Sequence, residues 1–318
     1  VNVFVTGGTG FVGSAVIDAL LARNHRIHAL VNHRPVDRND DRVKSFPGGL
    51  FDNAALDAAM AGCKAAIHLV GIIKEKPAEG ITFDRIHYQG TKQVVDAAKR
   101  AGTKRYLQMS ALGASANNTA EYLRTKFKAE QYVRDSGLDW TIFEPSLIHG
   151  PGGDFSKMQE NWARGKSVPF LFMPYFGSGL FGTGRRYEIQ PVFVDDVARA
   201  FVEALENDKT IGEVFPIGGA EKMTWPAMYR MASEVITGKA KPTLPIPAWY
   251  AKAIARIVPA ALLPFTYDQV LMSQQDNTCD LSKFSSVFGW TPRGFGEAMR
   301  SYQKVDSGVV ASATTGGG

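Results

Sequence analysis

The eight residues TGGTGFVG at 6–13 constrain this chain more than any other stretch. They follow VNVFVT, an apolar, β-branched run that reads as a strand. They open Phe11 to Arg23, where Val12, Val16 and Leu20 share one helical face. A strand that turns into a helix this quickly leaves little room for side chains. Gly7 permits the tight turn, Gly10 lets the backbone come close to a bound group, and Gly13 lets helix and strand pack closely. The free N–H groups at the helix start then face outward, where an anion can sit. G-x-x-G-x-x-G in this strand–turn–helix context points to the pyrophosphate of a dinucleotide.

The first half repeats the same alternation. RIHALV (26–31), AAIHLVG (65–71), RYLQMS (105–110) and WTIFEP (140–145) read as strands. Helical patterns cover Asn53 to Ala61, Phe83 to Ala101 with Gly102 as its stop, and about Glu121 to Ser136. The Asp-, Arg- and Pro-rich stretch after Arg34 reads as a loop. Strands that are apolar throughout, alternating with helices, predict an α/β fold: a doubly wound parallel sheet covered on both faces. After Pro145 the pattern changes. GPGG (150–153) is a turn, 154–165 is helical, and 165–192 reads as a long irregular loop rich in Gly, Phe and Pro. PVFVDDVARAFVEAL (191–205) reads as a strand end and a helix, GEVFPIGG (212–219) as a strand and turn. Thr224 opens a helix that runs to about Gly238. We therefore expect a nucleotide-binding core at 1–150 and a smaller mixed lobe on the substrate side at 151–305. Core elements return near 190–219, and a disordered tail of small polar residues follows at 306–318.

Composition narrows the setting. The 318 residues are 45% hydrophobic and 21% charged, which is globular, and no run of about 18 uncharged apolar residues predicts a transmembrane helix. No charged n-region and apolar h-region precede VNVFVT, so no signal peptide is expected. Cys63 and Cys279 lie far apart, which suits a reducing, cytoplasmic compartment. The six histidines form neither H-x3-H nor HExxH, so no metal site is expected. The net charge of +5 is scattered, which suits a solvated surface rather than a nucleic-acid groove. Two apolar stretches stand out. FLFMPYFGSGLF (170–181) suits a pocket for a quinone-, isoprenoid- or lipid-like molecule, or ordinary core. LPIPAWYAKAIARIVPAALLPF (244–265) suits a segment lying on a membrane's cytoplasmic face or on a partner, or packing within its own lobe.

The second strand indicates which dinucleotide. An NAD site places a carboxylate at that strand's end, about 20 residues past the glycines. Here the place reads Val31-Asn32-His33-Arg34, with no carboxylate until Asp37. Arg34 can pair with a 2′-phosphate, which favours NADP(H) while leaving NAD(H) open.

TGGTGFVG (6–13), AAIHLVG (65–71), HYQGTKQVVDAAKRAGTKRYLQMSALGA (87–114), YLRTK (122–126), LDWTIFEPSLIHGPG (138–152) and PVFVDDVARA (191–200) come in a telling order. This chain resembles the short-chain dehydrogenase/reductase superfamily in its extended, atypical, epimerase/dehydratase-like branch. It is most similar there to the NAD(P)H-binding accessory subunit of respiratory complex I and its bacterial relatives. The resemblance covers about residues 1–300. It implies a Rossmann core in which Gly7, Gly8, Thr9, Gly10, Phe11, Val12 and Gly13 surround the pyrophosphate and Asn32 and Arg34 meet the adenosine ribose. Leu50 would supply backbone contacts, Gly71 would lie beside the ribose, and Pro145 to Ile148 would approach the nicotinamide.

Tyr122 and Lys126 match the superfamily's YxxxK and share a helix face. The resemblance makes Tyr122 the general acid or base, with Lys126 lowering its pKa and holding the ribose. A Ser or Thr hydroxyl that polarises the substrate carbonyl should follow the strand-end serine by one or two places. The strand-end residue is Ser110, followed by Ala111 and Leu112. Ser110 itself, Ser115 or His149 are the stand-ins the sequence offers. Gly49 replaces the usual adenine-side Asp, His87 a usual Asn, and Glu144 a usual basic residue. Two functions compete: an NADP(H)-dependent oxidoreductase acting on a hydrophobic carbonyl or quinone-pathway compound, and a non-catalytic NAD(P)H-binding subunit of complex I or another membrane assembly.

Overall fold

The computed structural model describes residues 1–32, 34–258 and 262–303. His33, residues 259–261 of the 244–265 segment and the expected tail at 306–318 lie outside the described residues. In chain order the first elements are β1 (Asn2–Thr6), α1 (Phe11–Ala22), β2 (Arg26–Val31), β3 (Val43–Pro47), α2 (Asn53–Met60) and β4 (Ala65–His68). A π-helical turn (Asp84–Gln89) leads directly into α3 (Gly90–Ala101), then β5 (Arg105–Met109), α4 (Glu121–Arg134) and β6 (Asp139–Pro145). Beyond Pro145 come β7 (Ile148–His149), α5 (Asp154–Ala163), β8 (Met173–Gly177), β9 (Glu188–Ile189), β10 (Val192–Phe193) and α6 (Val194–Leu205). The chain continues with β11 (Glu213–Ile217), β12 (Met223–Thr224), α7 (Trp225–Thr237), β13 (Thr243–Pro247), α8 (Ala248–Ile257), α9 (Tyr267–Met272) and α10 (Ser282–Phe288).

The chain divides into two compact units. The first comprises Val1–Pro145, Val194–Ile217 and Cys279–Trp290. Its seven strands pair parallel in the order β11-β6-β5-β4-β1-β2-β3. This is the doubly wound Rossmann arrangement the strand pattern predicts. The order reverses at β1, which pairs β2 on one side and β4 on the other, so a crevice opens past the carboxyl ends of β1 and β4. Val3, Phe4, Val5, Ala66, Ile67, Leu107, Ile142 and Phe143 are sealed from solvent, which is why these strands read as unbroken apolar runs. An aromatic cluster ties the returning segments to this sheet. The Phe143 ring lies 4.6 Å from Phe201 of α6 and 5.9 Å from Phe215 of β11, and Phe215 lies 5.2 Å from Phe288 of α10.

Two first-half readings change. VKSFP, inside the stretch read as a loop, is the edge strand β3, paired from Ile27↔Val43 to Val31↔Pro47. Its side chains are only partly buried, so its backbone pairing leaves no apolar run to detect. The helix at 83–101 also begins differently, with its first turn in the wider π form.

The second unit comprises Ser146–Phe193, Gly218–Thr278 and Thr291 onward. Short strand pairs brace it: β7 with β10, β9 with β12, and β8 with β13. The 165–192 stretch is therefore not one irregular loop. Met173 to Gly177 pair in parallel with Thr243 to Pro247, and Met173 is buried. Phe176 packs with Ala248, Ala251, Val270 and Phe265, the last at 5.0 Å between ring centroids. α5 packs on α7, which begins after Thr224 and is closed by Gly238 at φ +75°.

Candidate functional site

The glycine turn is fixed by space. Gly7 has φ +76°, and a Cβ there would lie 3.2 Å from the Leu69 carbonyl carbon and the Val70 nitrogen. A Cβ on Gly13 would fall 2.0 Å from the Gly7 oxygen, which no rearrangement of side chains could relieve. Gly10 is the N-cap of α1, and no side chain caps the first turn or places an acid in it. Thr9 and Gly10 are exposed, Phe11 is half-buried, and Gly8, Val12 and Gly13 are buried. The helix start therefore presents uncapped N–H groups at the sheet's reversal point, a cradle that fits a pyrophosphate.

The adenosine side follows β2 and β3. Asn32 and Arg34 are both exposed just past β2. Leu50 is half-buried and packs under Gly90, whose added Cβ would come within 2.8 Å of the leucine methyl. Gly49 carries no acid, and the nearby Asp52 is spent on capping α2 through the Ala55 N–H at 3.0 Å.

The proton-handling side gathers at the ends of β4 and β5. Lys126 is buried, its Nζ donating to the Met109 carbonyl at 3.2 Å. A Cβ on Gly71 would come within 2.9 Å of that Nζ, so glycine leaves the ammonium its place. The Tyr122 ring is half-buried, edge-on to His87 at 5.1 Å and to Phe83 at 5.7 Å. His87 sits within the π-helical turn, a distortion common at working sites. Its Nδ1 lies 2.9 Å from Thr125 Oγ1, while Nε2 lies 3.1 Å from both the N–H nitrogen and the carbonyl oxygen of Ile72. It thereby pins the backbone just after Gly71 to the helix that carries Tyr122 and Lys126. Pro145 ends β6 at the same sheet edge. Ile148 belongs to the second unit, on β7 beside Val192.

Residues 7–168 match the model of a family described as NAD(P)H-binding. The chain belongs to that NAD(P)H-binding family. Over 152 residues it is 34% identical to the ceramide reductase of Caulobacter vibrioides, a match covering 47% of each chain. Over 274 residues it is 27% identical to the mitochondrial NADH dehydrogenase (ubiquinone) 1 alpha subcomplex subunit 9 of Arabidopsis thaliana, covering 82% of this chain and 64% of that one. The matches thus span about half to two-thirds of these relatives. The UDP-glucose 4-epimerase of Thermus thermophilus, solved with NAD, shares the fold with a TM-score of 0.71 at 20% identity, covering 94% of this chain and 97% of that one. The motif order and these relatives agree on an atypical, extended short-chain dehydrogenase/reductase similar to the complex I accessory subunit.

Electrostatics in this NAD(P)H-binding core follow from burial. Desolvation pulls Lys126 down to about 8, opposed by the charge of Glu130. Burial pushes the Tyr122 phenol up to about 12. His68, whose Nδ1 lies 2.5 Å from Thr6 Oγ1, is pulled down to about 3, and His87 to about 2, by desolvation and then by the Lys126 charge. Both are neutral at pH 7.

The hydroxyl question has a geometric answer. Ser110 is buried and its Oγ–H is donated to the Glu130 carboxylate. Ser115 lies half-buried in the following turn. His149 is sealed in the second unit among Phe193, Phe295 and Tyr302, with neither ring nitrogen hydrogen-bonded, so it is a core residue rather than a stand-in donor. Glu130 is the residue that the sequence reading misses. The signal was there: Tyr122, Lys126, Glu130 and Arg134 recur every four residues.

Stability should fall on mild acidification. The unfolded chain protonates its histidines near 6.5, whereas native His68 and His87 resist until about 3 and 2. Between those values the unfolded state binds more protons, so stability is full above 6.5 and is lost as pH falls. At pH 5 each histidine accounts for roughly 2 kcal/mol of that loss. Urea unfolding at pH 7 and pH 5 checks this, and a His68→Gln/His87→Gln double variant should flatten the difference.

Proposed function

We propose that the chain is an NADP(H)-dependent oxidoreductase acting on a hydrophobic carbonyl or quinone-pathway compound. The observation that carries this reading is the placement of Tyr122 and Lys126 on one face of α4, with the Lys126 ammonium between Gly71 and the end of β5. When bound, the nicotinamide supplies or accepts the hydride. Tyr122 passes a proton to or from the substrate oxygen. Lys126 holds the ribose, and its charge favours the phenolate that burial alone disfavours. The carbonyl class draws support from the relative named ceramide reductase.

One observation favours the alternative, an accessory protein that holds the nucleotide without turning it over. Ser110 gives its hydroxyl to Glu130, and neither Ala111 nor Leu112 can donate a side-chain hydrogen bond. Losing one such donor costs about 10²–10³ in rate. Turnover of NADPH with long-chain ketones and quinones separates the two. The enzyme reading expects Tyr122→Phe to lower kcat by about 10²–10⁴ with little change in NADPH Kd. Bound NADPH that none of these substrates oxidises would decide for the accessory reading.

The preference for NADP(H) rests on Arg34, exposed past β2 with no ion pair or hydrogen bond among the described residues, and on the absence of a carboxylate there. Arg38, by contrast, is engaged with Asp18 at 2.7 Å. Arg34→Ala should weaken NADPH binding about 10- to 100-fold, the range of a charge-assisted hydrogen bond, and leave NADH unchanged. Equal losses for both nucleotides would refute the preference.

The second unit is the side that would meet a membrane. Leu171 (81% exposed), Phe181 (75%), Leu180, Trp249, Tyr250 and Ile257 present apolar side chains to solvent, and Trp249 Nε1 donates to the Leu180 carbonyl at 3.0 Å. This unit has 14 Lys and Arg against 9 Asp and Glu, whereas the first has 22 of each. Exposed aromatics beside excess positive charge suit an anionic lipid surface. No helix among the described residues is long and apolar enough to cross a membrane. The protein should co-sediment with phosphatidylserine vesicles, less so at high salt or in a Phe181→Ser/Trp249→Ser variant. Indifference to vesicle charge would dismiss the surface.

A further inference from the structure

Two stretches of the second unit, residues 161–187 and 235–267, hold eight Lys and Arg and not one Asp or Glu. They are the stretches that β8 and β13 bring together, paired in parallel from Met173↔Thr243 to Gly177↔Pro247. Apolar side chains stand exposed at both ends of this pair. Beyond its carboxyl end are Leu180, Phe181 and Trp249. Before its amino end runs Val168-Pro169-Phe170-Leu171, where Val168 is 73% exposed and Phe170 56%. Leu244, exposed on β13, keeps the span between them apolar. Strands of five residues, at about 3.3 Å each, set the two clusters roughly 15 Å apart.

The segment at 168–171 is tied down at its backbone. Trp162 Nε1 donates to the Val168 carbonyl at 3.1 Å. Lys241 Nζ donates to the Phe170 carbonyl at 2.6 Å and to the Trp162 carbonyl at 2.5 Å, which joins the segment to the end of α5. Gly165, at φ +65°, makes the fold-back, since a Cβ there would lie 3.3 Å from the Phe170 oxygen. These ties matter for an apolar solvent. A backbone carbonyl that leaves water unpaired is costly, and here two are already paired, while Pro169 has no N–H to strand.

We propose that residues 168–171 are a second lipid-inserting foot, that the β8–β13 pair lies along an anionic bilayer between this foot and the Leu180–Phe181–Trp249 cluster, and that Lys241 holds the foot in its inserting shape. This rests on the reading that the second unit meets a membrane. The charge pattern chooses the occupant. A surface with many cations and no carboxylate nearby along either stretch suits an anionic lipid face, and Lys166 and Lys239 stand exposed beside the foot. The ties decide the geometry. A segment already braced in solution inserts its side chains without first having to be ordered. Lys241 is therefore a positioning residue: its ammonium is spent on two carbonyls, and the apolar side chains it displays touch the lipid.

Partitioning of the whole chain onto mixed phosphatidylserine–phosphatidylcholine vesicles tests this. Phe170→Ser/Leu171→Ser changes only exposed side chains and should lower the partition constant about tenfold or more. Lys241→Met and Lys239→Met each remove one positive charge, so at low salt both should bind more weakly. At about 1 M salt, where screening shortens to about 3 Å, Lys239→Met should match wild type. Lys241→Met should stay about threefold or more below it, because the tie is lost as well as the charge. Two lysine variants that behave alike at both salt levels would overturn the role of Lys241. If Lys241→Met does not fold, the serine variant still decides whether the foot exists. Wild-type partitioning by Phe170→Ser/Leu171→Ser, beside loss in Phe181→Ser/Trp249→Ser, would overturn the second foot and leave the membrane reading standing. Wild type that ignores the vesicles altogether would remove that reading, and this one with it.

Discussion

The contact between residue 13 and the carbonyl of residue 7 governs the whole site. With any side chain at Gly13, α1 could not seat against the end of β1. With glycine there, the helix starts where the sheet order reverses and its free N–H groups meet the crevice. The constraint then passes along the chain by close approach. Gly7 abuts the backbone of Leu69 and Val70, the next residue is Gly71, and Gly71 abuts the Lys126 ammonium. The anion cradle and the proton-handling corner are thus two ends of one run of contacts in which side chains are excluded.

This explains what was legible in the sequence. Glycines required by space stand out because no other residue fits. Strands sealed on both faces stand out because apolar residues dominate them without alternation, as VNVFVT and AAIHLVG show. β3 escaped notice because an edge strand needs hydrogen-bond partners rather than an apolar face. β8 escaped because its partner β13 lies about seventy residues away, in a stretch broken by prolines.

The site divides the same way. Tyr122 and Lys126 are legible from spacing, and Arg34 from its place after β2. The fate of Ser110 is not. Whether a hydroxyl at a strand end faces a ligand or a buried acid depends on which residue α4 brings over it. A glutamate within YLRTKFKAEQYVR reads from sequence as one half of an ordinary surface ion pair with Arg134. Only the packing of α4 over the end of β5 shows it to be a buried carboxyl that takes the Ser110 hydroxyl. The same holds for His68, His87 and His149: sequence spacing says what they do not ligate but gives no sign that all three are neutral residues of the interior.

The π-helical turn at Asp84–Gln89 has a structural corollary. A π turn accommodates one residue more than an α turn, and each helical residue advances the face by about 100°. The extra residue is what lets His87 reach both Ile72 and Thr125 while α3 keeps Val94, Val95 and Ala98 on the core. The segment therefore works as a phase adjuster between two helical registers. Relatives that shed one residue there would keep the same α3 packing with a plain α turn, and would have to find another way to fasten the end of β4 to the helix of the tyrosine and lysine.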